Sequence, residues 1–418
     1  MKKSISTKTA AVILIISIFT VISGYAQTKQ ISGKIIDATT KKPLPFVSVI
    51  ISGTNIGTVT NTQGEFKINF NDSLKHRNLQ LRYIGYKNKN IPIDDIKENY
   101  LKIKLNPSSV KIDEIVVRPD NPKELFRKVL NKIPENYTEK PNKEIGFYRE
   151  YIKKRKKYVS ISEAAVEIYK APYNKPYAYD MVKLYKGHKS ANVKSQDTVI
   201  LKLKGGPKTA LLLDIAKNPD ILFGDLDQYD FSVNNVININ DKLNYVIEFK
   251  QKPGSDIALY NGKIYVNVKN LAVTGAKFSL NLENKTEASR VFVRKKSPGI
   301  TVTPEKTDYI VSYIENNGKY YFYHARGEIS FKVKRKRKPF KSVYTVMTEI
   351  AITDRTDKNV KKIPRNEQLK GNIIFEEKVY PFADPDFWGS YNIIKPEESI
   401  EKAIKKYGVK LQIKDNAE

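Results

Sequence analysis

The fold is decided by residues 31–86, ISGKIIDATTKKPLPFVSVIISGTNIGTVTNTQGEFKINFNDSLKHRNLQLRYIGY. Four runs in it, GKIID, FVSVII, GTVTNTQGEFKIN and LQLRYIGY, are each bounded by Gly, Pro, Asn or Asp, which is typical of strands joined by turns. Apolar residues recur at every second position in two of these runs. The alternating positions are Val47, Val49, Ile51, Phe66, Ile68 and Phe70. This period predicts a β-sandwich with one face of each strand buried.

The same stretch resembles the carboxypeptidase-regulatory-like domain, a transthyretin-like β-sandwich. The residues that carry the resemblance are Gly33, Asp37, Pro43-Leu44-Pro45-Phe46, Val49, Gly53-Thr54, Gly57-Thr58, Thr60, Gly64, Phe66 and Ile84-Gly85-Tyr86. The resemblance implies a module found at the N-termini of exported Bacteroidetes proteins, including TonB-dependent outer-membrane receptors. It implies no activity, because the module is similar to the accessory domain of carboxypeptidases and has none of their zinc ligands.

The first 26 residues have the parts of a secretory signal peptide. A basic start precedes an apolar run over residues 10–22, and the small residues Gly24 and Ala26 suit a cleavage site. The run is shorter than the roughly 20 apolar residues that span a bilayer. We therefore expect an exported chain that begins at Gln27 and has no transmembrane segment after cleavage.

The composition narrows the possible chemistry and the possible partners. The 418 residues include no cysteine, which excludes disulfides and any cysteine-based metal site or nucleophile. The formal net charge is +29, which favours an anionic partner such as an envelope protein, a lipid surface or lipopolysaccharide. The alternative is a solvated surface covered with lysine. A nucleic-acid partner is not expected, because no recognition motif is present.

A proline-containing linker follows the module, over residues 107–121. Its segment DEIVV, residues 113–117, is similar to the one that follows this module in TonB-dependent receptors, but too few residues remain for a plug and a large barrel. Asn121, with Pro122 and Glu124 after it, then predicts a capped helix that Pro134 ends.

The rest of the chain predicts an α+β domain on a large antiparallel sheet. We expect a hairpin within residues 146–170 and about eight strands over residues 231–354, with Asn261-Gly262 and Asn317-Gly318 as type I′ turns. Helices are predicted at Pro207 to Lys217 and Pro396 to Tyr407. The predicted division is a signal peptide (1–26), a sandwich (27–106), a linker (107–121), a sheet domain (122–395) and a C-terminal helix and tail (396–418).

The predicted fold class is therefore mainly β with some helix. The order of elements in the sheet domain resembles the half-barrel of LolA-like lipoprotein carriers. That resemblance implies a curved sheet that holds an apolar ligand, a lipid or a lipoprotein acyl chain, on its concave face.

Residue patterns typical of catalysis are missing. The sequence has no metalloprotease, nucleophile-elbow or phosphate-loop motif. His324 and Glu328 are interpreted as a surface polar pair, and the aspartates of residues 225–230 as an acidic turn rather than a calcium loop. Residues 205–207 are an ordinary glycine turn before a helix, with anion binding as the alternative. We predict no catalytic, metal-binding or cofactor-binding residue, and a protein that is not an enzyme.

Two surfaces are candidates for binding. The first is a basic run at a strand end, an anion or membrane-surface patch that includes Lys332, Lys334, Arg335, Lys336, Arg337 and Lys338. Residues 153–157 repeat this pattern. The second is a ligand or docking loop with Asp384, Asp386, Phe387 and Trp388. The aromatic run Tyr320–Tyr323 is interpreted as core.

These features predict an exported, non-enzymatic protein with a binding or assembly role in the periplasm or at the periplasmic face of the outer membrane. The first alternative is a docking or structural partner of a TonB-dependent or other outer-membrane machine. The second is a hydrolase, which the missing motifs disfavour. No cofactor is expected.

Overall fold

The computed structural model describes residues 28–98, 100–108, 119–175, 177–189, 203–292, 298–336, 340–381 and 387–403. The predicted signal peptide and most of the predicted linker lie outside these residues. None of the helices in the described part of the chain has the length and hydropathy that crossing a bilayer requires.

The N-terminal module is a sandwich of two sheets, as predicted. Its strands are β1 (Thr28–Asp37), β2 (Ser48–Ile51), β3 (Gly57–Val59), β4 (Glu65–Asn71), β5 (Asn78–Arg82), β6 (Lys89–Pro92) and β7 (Tyr100–Leu105). One sheet has the order β4-β1-β7 and the other β3-β2-β5-β6. Single 3₁₀ turns follow β4 (Asp72–Leu74) and β6 (Ile93–Asp95). The alternating residues named above are all buried in a core between the two sheets.

The outer face of the four-stranded sheet is covered as well. Ile50 points away from the module's own core, yet it is only 4% exposed, because it packs into the core of the large sheet. Val59 belongs to the same shared core. The module is thus packed on the sheet domain and is not an isolated sandwich.

The sheet domain is built on one open sheet. Its strands are β8 (Asn142–Lys154), β9 (Lys157–Lys170), β10 (Met181–Lys189), β11 (Tyr229–Ile239), β12 (Lys242–Gln251), β13 (Tyr260–Asn267), β14 (Val273–Leu280), β15 (Ile300–Asn316), β16 (Lys319–Arg335), β17 (Ser342–Thr356) and β18 (Tyr380–Pro381). The order is β11-β12-β13-β14-β15-β16-β17-β8-β9-β10-β18. Every pair is antiparallel except β10 with β18. The predicted class, mainly β with a large antiparallel sheet and few helices, is confirmed.

The helices are short. They are α1 (Pro122–Asn131), α2 (Ile133–Asn136), α3 (Pro207–Leu211), α4 (Asp220–Phe223) and α5 (Lys285–Phe292), with 3₁₀ turns at Leu226–Gln228 and Phe375–Lys378. Residues 398–403 are also helical. The predicted cap of α1 is confirmed, since the Asn121 side chain accepts a hydrogen bond of 3.1 Å from the Glu124 amide.

The helix predicted for residues 207–217 is wrong in length, because α3 ends at Leu211. Residues 212–218 form successive turns instead. The reason is Asp214, whose buried carboxylate accepts hydrogen bonds from Lys170 and Tyr313 on the sheet. These tertiary contacts outweigh the weak propensity of so short a helix.

The turn predicted at Asn261-Gly262 is also wrong. Both residues lie inside β13, and residues 231–354 contain seven strands rather than eight in the described part of the chain. Gly262 is needed for close strand packing, since a Cβ there would lie 2.5 Å from a Phe278 side-chain atom. The reversal occurs before β13, near Gly254, which has a φ of +82°.

The turn at Asn317-Gly318 is confirmed. It joins β15 to β16 with φ values of +51° and +76°, as a type I′ hairpin requires.

Gly318→Ala tests this turn. No atom lies within 4 Å of the added Cβ, so the expected loss of about 1 kcal/mol in unfolding free energy comes from the left-handed backbone. Gly371→Ala is the matched control, because its Cβ also meets open space but its φ is not in that region. Urea unfolding, followed by Trp388 fluorescence, measures both; equal stability of the two variants would contradict the turn assignment.

Candidate functional site

A row of charged side chains crosses five neighbouring strands on the sheet face that the module covers. Strand pairing places Arg326 of β16 opposite Glu349 of β17, Glu349 opposite Arg149 of β8, Arg149 opposite Glu163 of β9, and Glu163 opposite His188 of β10. We call these five residues the charged row. All are less than 9% exposed, and each carboxylate lies between two basic groups.

Both carboxylates of the charged row use both oxygens. Arg149 Nε donates to Glu163 Oε1 at 2.5 Å, and His188 Nε2 lies 3.0 Å from Glu163 Oε2. Arg326 Nη1 donates to Glu349 Oε2 at 3.3 Å, and His324 Nε2 lies 3.0 Å from Glu349 Oε1. Fully satisfied charges of this kind tolerate burial, whereas a charge without its partner would not.

The electrostatics follow from this pairing. Burial alone raises the pKa of Glu349, but the charge of Arg326 and the hydrogen bond with His324 outweigh it and hold that pKa at about 2. Burial likewise raises the pKa of Glu163, and the charge of Arg149 together with the contact to His188 brings it below its usual range. Both carboxylates are therefore ionised at neutral pH and already engaged by fixed partners.

Two parts of the chain cover the charged row, the module and a segment near the C-terminus. Phe46 of the module stacks on His324 with ring centroids 5.4 Å apart, and its ring centroid lies 5.5 Å from the Arg326 guanidinium carbon. The C-terminal segment, residues 387–403, supplies the Ile394 carbonyl, which accepts a 2.7 Å hydrogen bond from Arg149. Phe387 of the same segment stacks on His188 at 4.3 Å.

The C-terminal segment is held by the module in turn. The Asn392 side chain pairs with both backbone groups of Asn69, at 2.6 and 3.0 Å. The Thr58 hydroxyl donates to the Ile393 carbonyl at 2.9 Å, and Lys395 forms an ion pair of 2.8 Å with Glu65. The segment therefore lies between the module and the sheet and joins them.

A second buried network lies on the opposite face of the sheet. Lys170 Nζ donates to Asp214 and to Asp180, both at 2.6 Å, and Asp214 also accepts from Tyr173 and Tyr313 at 2.7 and 2.8 Å. Burial opposes the ammonium charge of Lys170, but the two aspartates outweigh it and raise the pKa of Lys170. This network fixes the turns after α3 to the sheet.

Two further carboxyl groups on β8 have raised pKa values. Burial raises the pKa of Glu144 to about 8, and neither of its oxygens has a hydrogen-bond partner in the described residues. Burial also raises the pKa of Glu150 to about 8, although Tyr148 donates to it at 2.6 Å. Neither residue lines the pockets described next, so neither is placed to meet a substrate there.

Two pockets lie at the junction between the module and the sheet, and both are small. One, of about 40 Å³, is lined by Arg82, Lys277 and His324 among others. The other, of about 80 Å³, is lined by Arg82, Glu315 and Arg355 among others. Each has room for a few water molecules, far below the roughly 300 Å³ or more of a small-molecule site.

A cluster of aromatic rings packs between the sheet and the helices α1 and α4. Phe223 of α4 lies between Phe126 of α1 and Phe249 of β12, with ring centroids 4.7 and 5.0 Å apart. Tyr229 and Phe231 of β11 complete the cluster. The predicted aromatic run is core too, with Tyr320, Phe322 and Tyr323 buried.

The interpretation of His324 and Glu328 as a surface polar pair is wrong, because His324 is buried, Glu328 is half-buried and the two have different partners. His324 is fully buried and pairs with Glu349, while Glu328 accepts from Arg326 at 2.6 Å and from Tyr151 at 3.0 Å. Both side chains do share one face of β16, but the module covers that face, and no local pattern reveals this. Among the described residues no group of three or more His, Asp or Glu is arranged to hold a metal ion.

The residues of the two remaining alternatives, a calcium loop at residues 225–230 and an anion site at residues 205–207, contact other parts of the chain. Asp225 caps a 3₁₀ turn by accepting from the Asp227 amide, and Asp227 forms an ion pair with Lys123. At the glycine turn, the Gly205 amide donates to the Ile373 carbonyl, and Phe375 packs on Gly206.

The predicted binding surfaces are placed as follows. Lys332 forms an ion pair with Glu305, Lys334 and Lys336 are exposed, and Arg335 is half-buried, while Arg337 and Lys338 lie outside the described residues. In the predicted docking loop, Phe387 covers His188, and Trp388 packs against His188 and Phe147 at 4.8 and 5.3 Å. Asp384 and Asp386 lie outside the described residues. Both rings are thus packed on the chain's own sheet.

The charged row itself was not predicted. Its sequence signal is a charge in the middle of an otherwise apolar strand, in FYREY for Arg149 and SEA for Glu163. A charge at such a position needs an opposite charge on a neighbouring strand.

The comparisons with known proteins support the module. Residues 31–117 match the model of the CarboxypepD_reg-like domain, about a fifth of the chain. No curated protein matches the sequence. The module is therefore similar to this domain family, and the match says nothing of the sheet domain.

Three solved structures show a low overall similarity. A DUF1329 family protein from Desulfovibrio piger is 12% identical, covers 58% of this chain and 95% of its own, and has a TM-score of 0.24. A putative outer membrane lipoprotein-sorting protein domain from Vibrio parahaemolyticus is 10% identical, with coverage of 58% and 94% and a TM-score of 0.24. Lipovitellin, from a structure of its lipid-protein interactions, is 9% identical, with coverage of 60% and 28% and a TM-score of 0.25. These scores are too low to carry an argument about function.

Glu163→Gln tests the charged row. Removing this charge leaves Arg149 buried without its ionic partner, so we expect the unfolding free energy to fall by about 3 kcal/mol. Glu167→Gln on the same strand is the control, because that side chain is half-exposed and contacts Tyr185; a change within about 0.5 kcal/mol is expected. Urea unfolding measures both. Equal effects would show that the row contributes nothing beyond an ordinary polar contact.

Glu144→Gln tests the buried carboxyl group. Its pKa is about 8 in the folded chain and about 4.3 when unfolded, so between these values the folded state keeps a proton that the unfolded state loses. The unfolding free energy of the wild type must therefore fall as pH rises through this window. Because Gln does not titrate, we expect the variant to gain at least about 1 kcal/mol relative to wild type between pH 5 and pH 8. A difference that does not change with pH would contradict the raised pKa.

Proposed function

We propose that the protein is an exported, non-enzymatic component of the bacterial envelope that acts as a rigid binding or assembly platform. Its location would be the periplasm or the periplasmic face of the outer membrane. Partners would bind its outer surface and not an internal cavity. The observation that carries this proposal is the charged row, which the module and the C-terminal segment cover with direct contacts.

A module that detached from the sheet would expose this row. Phe46 would leave His324 and Arg326, and Tyr323 would lose the 2.8 Å hydrogen bond that its hydroxyl donates to the Thr58 carbonyl. Asn55 of the module would also lose its contacts with Arg355, at 2.7 and 2.8 Å. So many specific contacts favour a fixed position of the module, as a platform requires.

The aromatic cluster between the sheet and its helices favours a platform over a container. A carrier of lipid or acyl chains needs an apolar cavity, and the space where a half-barrel would hold one contains the aromatic cluster around Phe223. The two pockets of about 40 and 80 Å³ are partly polar and lie on the other side of the sheet. An apolar ligand is therefore the weaker candidate.

The buried ionisable groups also support a non-enzymatic role. The carboxylates of Glu163 and Glu349 have both oxygens occupied by the chain's own side chains, and a general base needs a free lone pair directed at its substrate. Lys170 is saturated by two aspartates. These groups stabilise the fold and are not poised for catalysis.

Native mass spectrometry of the chain purified gently from envelopes tests the platform. We expect the mass of the polypeptide alone and no stoichiometric lipid after solvent extraction. Phe223→Ala is the matched variant, because it opens a cavity in the aromatic core and shows whether a space there takes up lipid. One lipid per wild-type chain would overturn the platform and favour an apolar-ligand carrier.

A further inference from the structure

Two basic runs that are far apart in sequence meet at one end of the large sheet. The β8-β9 hairpin reverses at Arg155-Lys156, and β16 and β17 turn back at the same end, since Tyr344 of β17 lies opposite Lys154 of β8. The Arg155 amide donates to the Val343 carbonyl at 2.8 Å, which joins the two hairpins directly.

Six cations at this end of the sheet are exposed to solvent, and the described part of the chain offers none of the six an ion-pair partner. They are Arg155, Lys156, Lys157, Lys334, Lys336 and Lys341. We call them the basic end. Lys332, two residues before Lys334 on β16, is neutralised by Glu305. Like charges at this density repel one another unless an anionic surface or salt screens them.

Apolar side chains are exposed among these cations. Phe340 is 80% exposed beside Lys341, and Val343 is 40% exposed two residues further on. The strands behind them are firmly packed, because Phe331, Val333 and Tyr344 form a small core of their own. The basic end therefore combines cations with an exposed aromatic ring, on strands that a buried cluster holds in place.

From this combination we propose that the basic end binds the surface of an anionic lipid bilayer, with the cations on the headgroup phosphates and Phe340 inserted among the headgroups. Basic residues gain affinity from anionic lipid, and aromatic rings favour the membrane interface. The inference rests on the proposed envelope location and names the partner of the platform. The partner is a lipid surface and not a free phosphate, because a soluble anion would leave Phe340 in water.

The test is co-sedimentation of the full mature chain with vesicles of phosphatidylethanolamine alone or with added phosphatidylglycerol. We expect binding to the anionic vesicles only, weakening with salt. The triple variant Lys334→Gln, Lys336→Gln, Lys341→Gln should bind about 100-fold more weakly, at about fivefold per cation. Phe340→Ala should bind about tenfold more weakly.

The matched control is Lys361→Gln, Lys362→Gln, Lys370→Gln. These three lysines are also exposed, but they follow the opposite end of β17. The control carries the same net charge as the triple variant, so equal weakening of both would show attraction by net charge alone and overturn the proposal. If inorganic phosphate displaces the chain from anionic vesicles at a concentration equal to that of the lipid phosphates, the site binds a soluble anion instead, and the proposal is wrong.

A fluorescence measurement tests the membrane contact independently of the proposed platform role. Phe340→Trp in a Trp388→Phe background should show a blue shift of its emission on anionic vesicles and none on neutral ones. If the emission does not shift and the chain does not bind vesicles, the proposed membrane contact is wrong. The platform proposal would stand in that case, because it depends on the lipid-free mass of the chain in native mass spectrometry. Stoichiometric lipid in native mass spectrometry would instead overturn the platform itself.

Discussion

The structure depends on the burial of charge between two layers of β-sheet. Arg149, Glu163, Glu349 and Arg326 lie in the middle of long strands, where water cannot reach them. Each needs its neighbour across the sheet and the cover that the module and the C-terminal segment provide. Such a row adds little net stability compared with apolar residues, but it penalises any arrangement that leaves one charge without a partner. It therefore specifies how the module sits on the sheet.

This arrangement limits which surfaces of the N-terminal module a partner can reach. In a sandwich that hangs from a flexible linker, the outer face would be free for a partner. In this chain the outer face of the module packs on the rest of the same chain, through Ile50, Phe46 and Thr58. Other molecules would have to bind elsewhere, for example at the ends of the large sheet. This is why the proposed role is a platform and why the exposed basic end of the large sheet is the more informative binding surface.

Local sequence patterns were sufficient for some elements and not for others. The period of two over residues 47–70, the cap at Asn121 and the turn at Asn317-Gly318 depend on residues close in sequence, and all three are confirmed. The turn at Asn261-Gly262 failed because strand pairing on both sides needs that glycine for close packing. The helix after Pro207 was too long in the prediction because Asp214 is drawn into a buried network.

By itself, the sequence determined that the chain lacks cysteine chemistry, carries a large positive charge, begins its described part with a β-sandwich module and continues with an antiparallel sheet. The tertiary structure alone decided which face of that sheet is covered, which charges are buried together, and that two basic hairpin ends are neighbours. The physical reason is the range of the interactions. Periodicity and turn chemistry act over a few residues, whereas strand order across the sheet decides which residues lie beside Arg149 or Lys334.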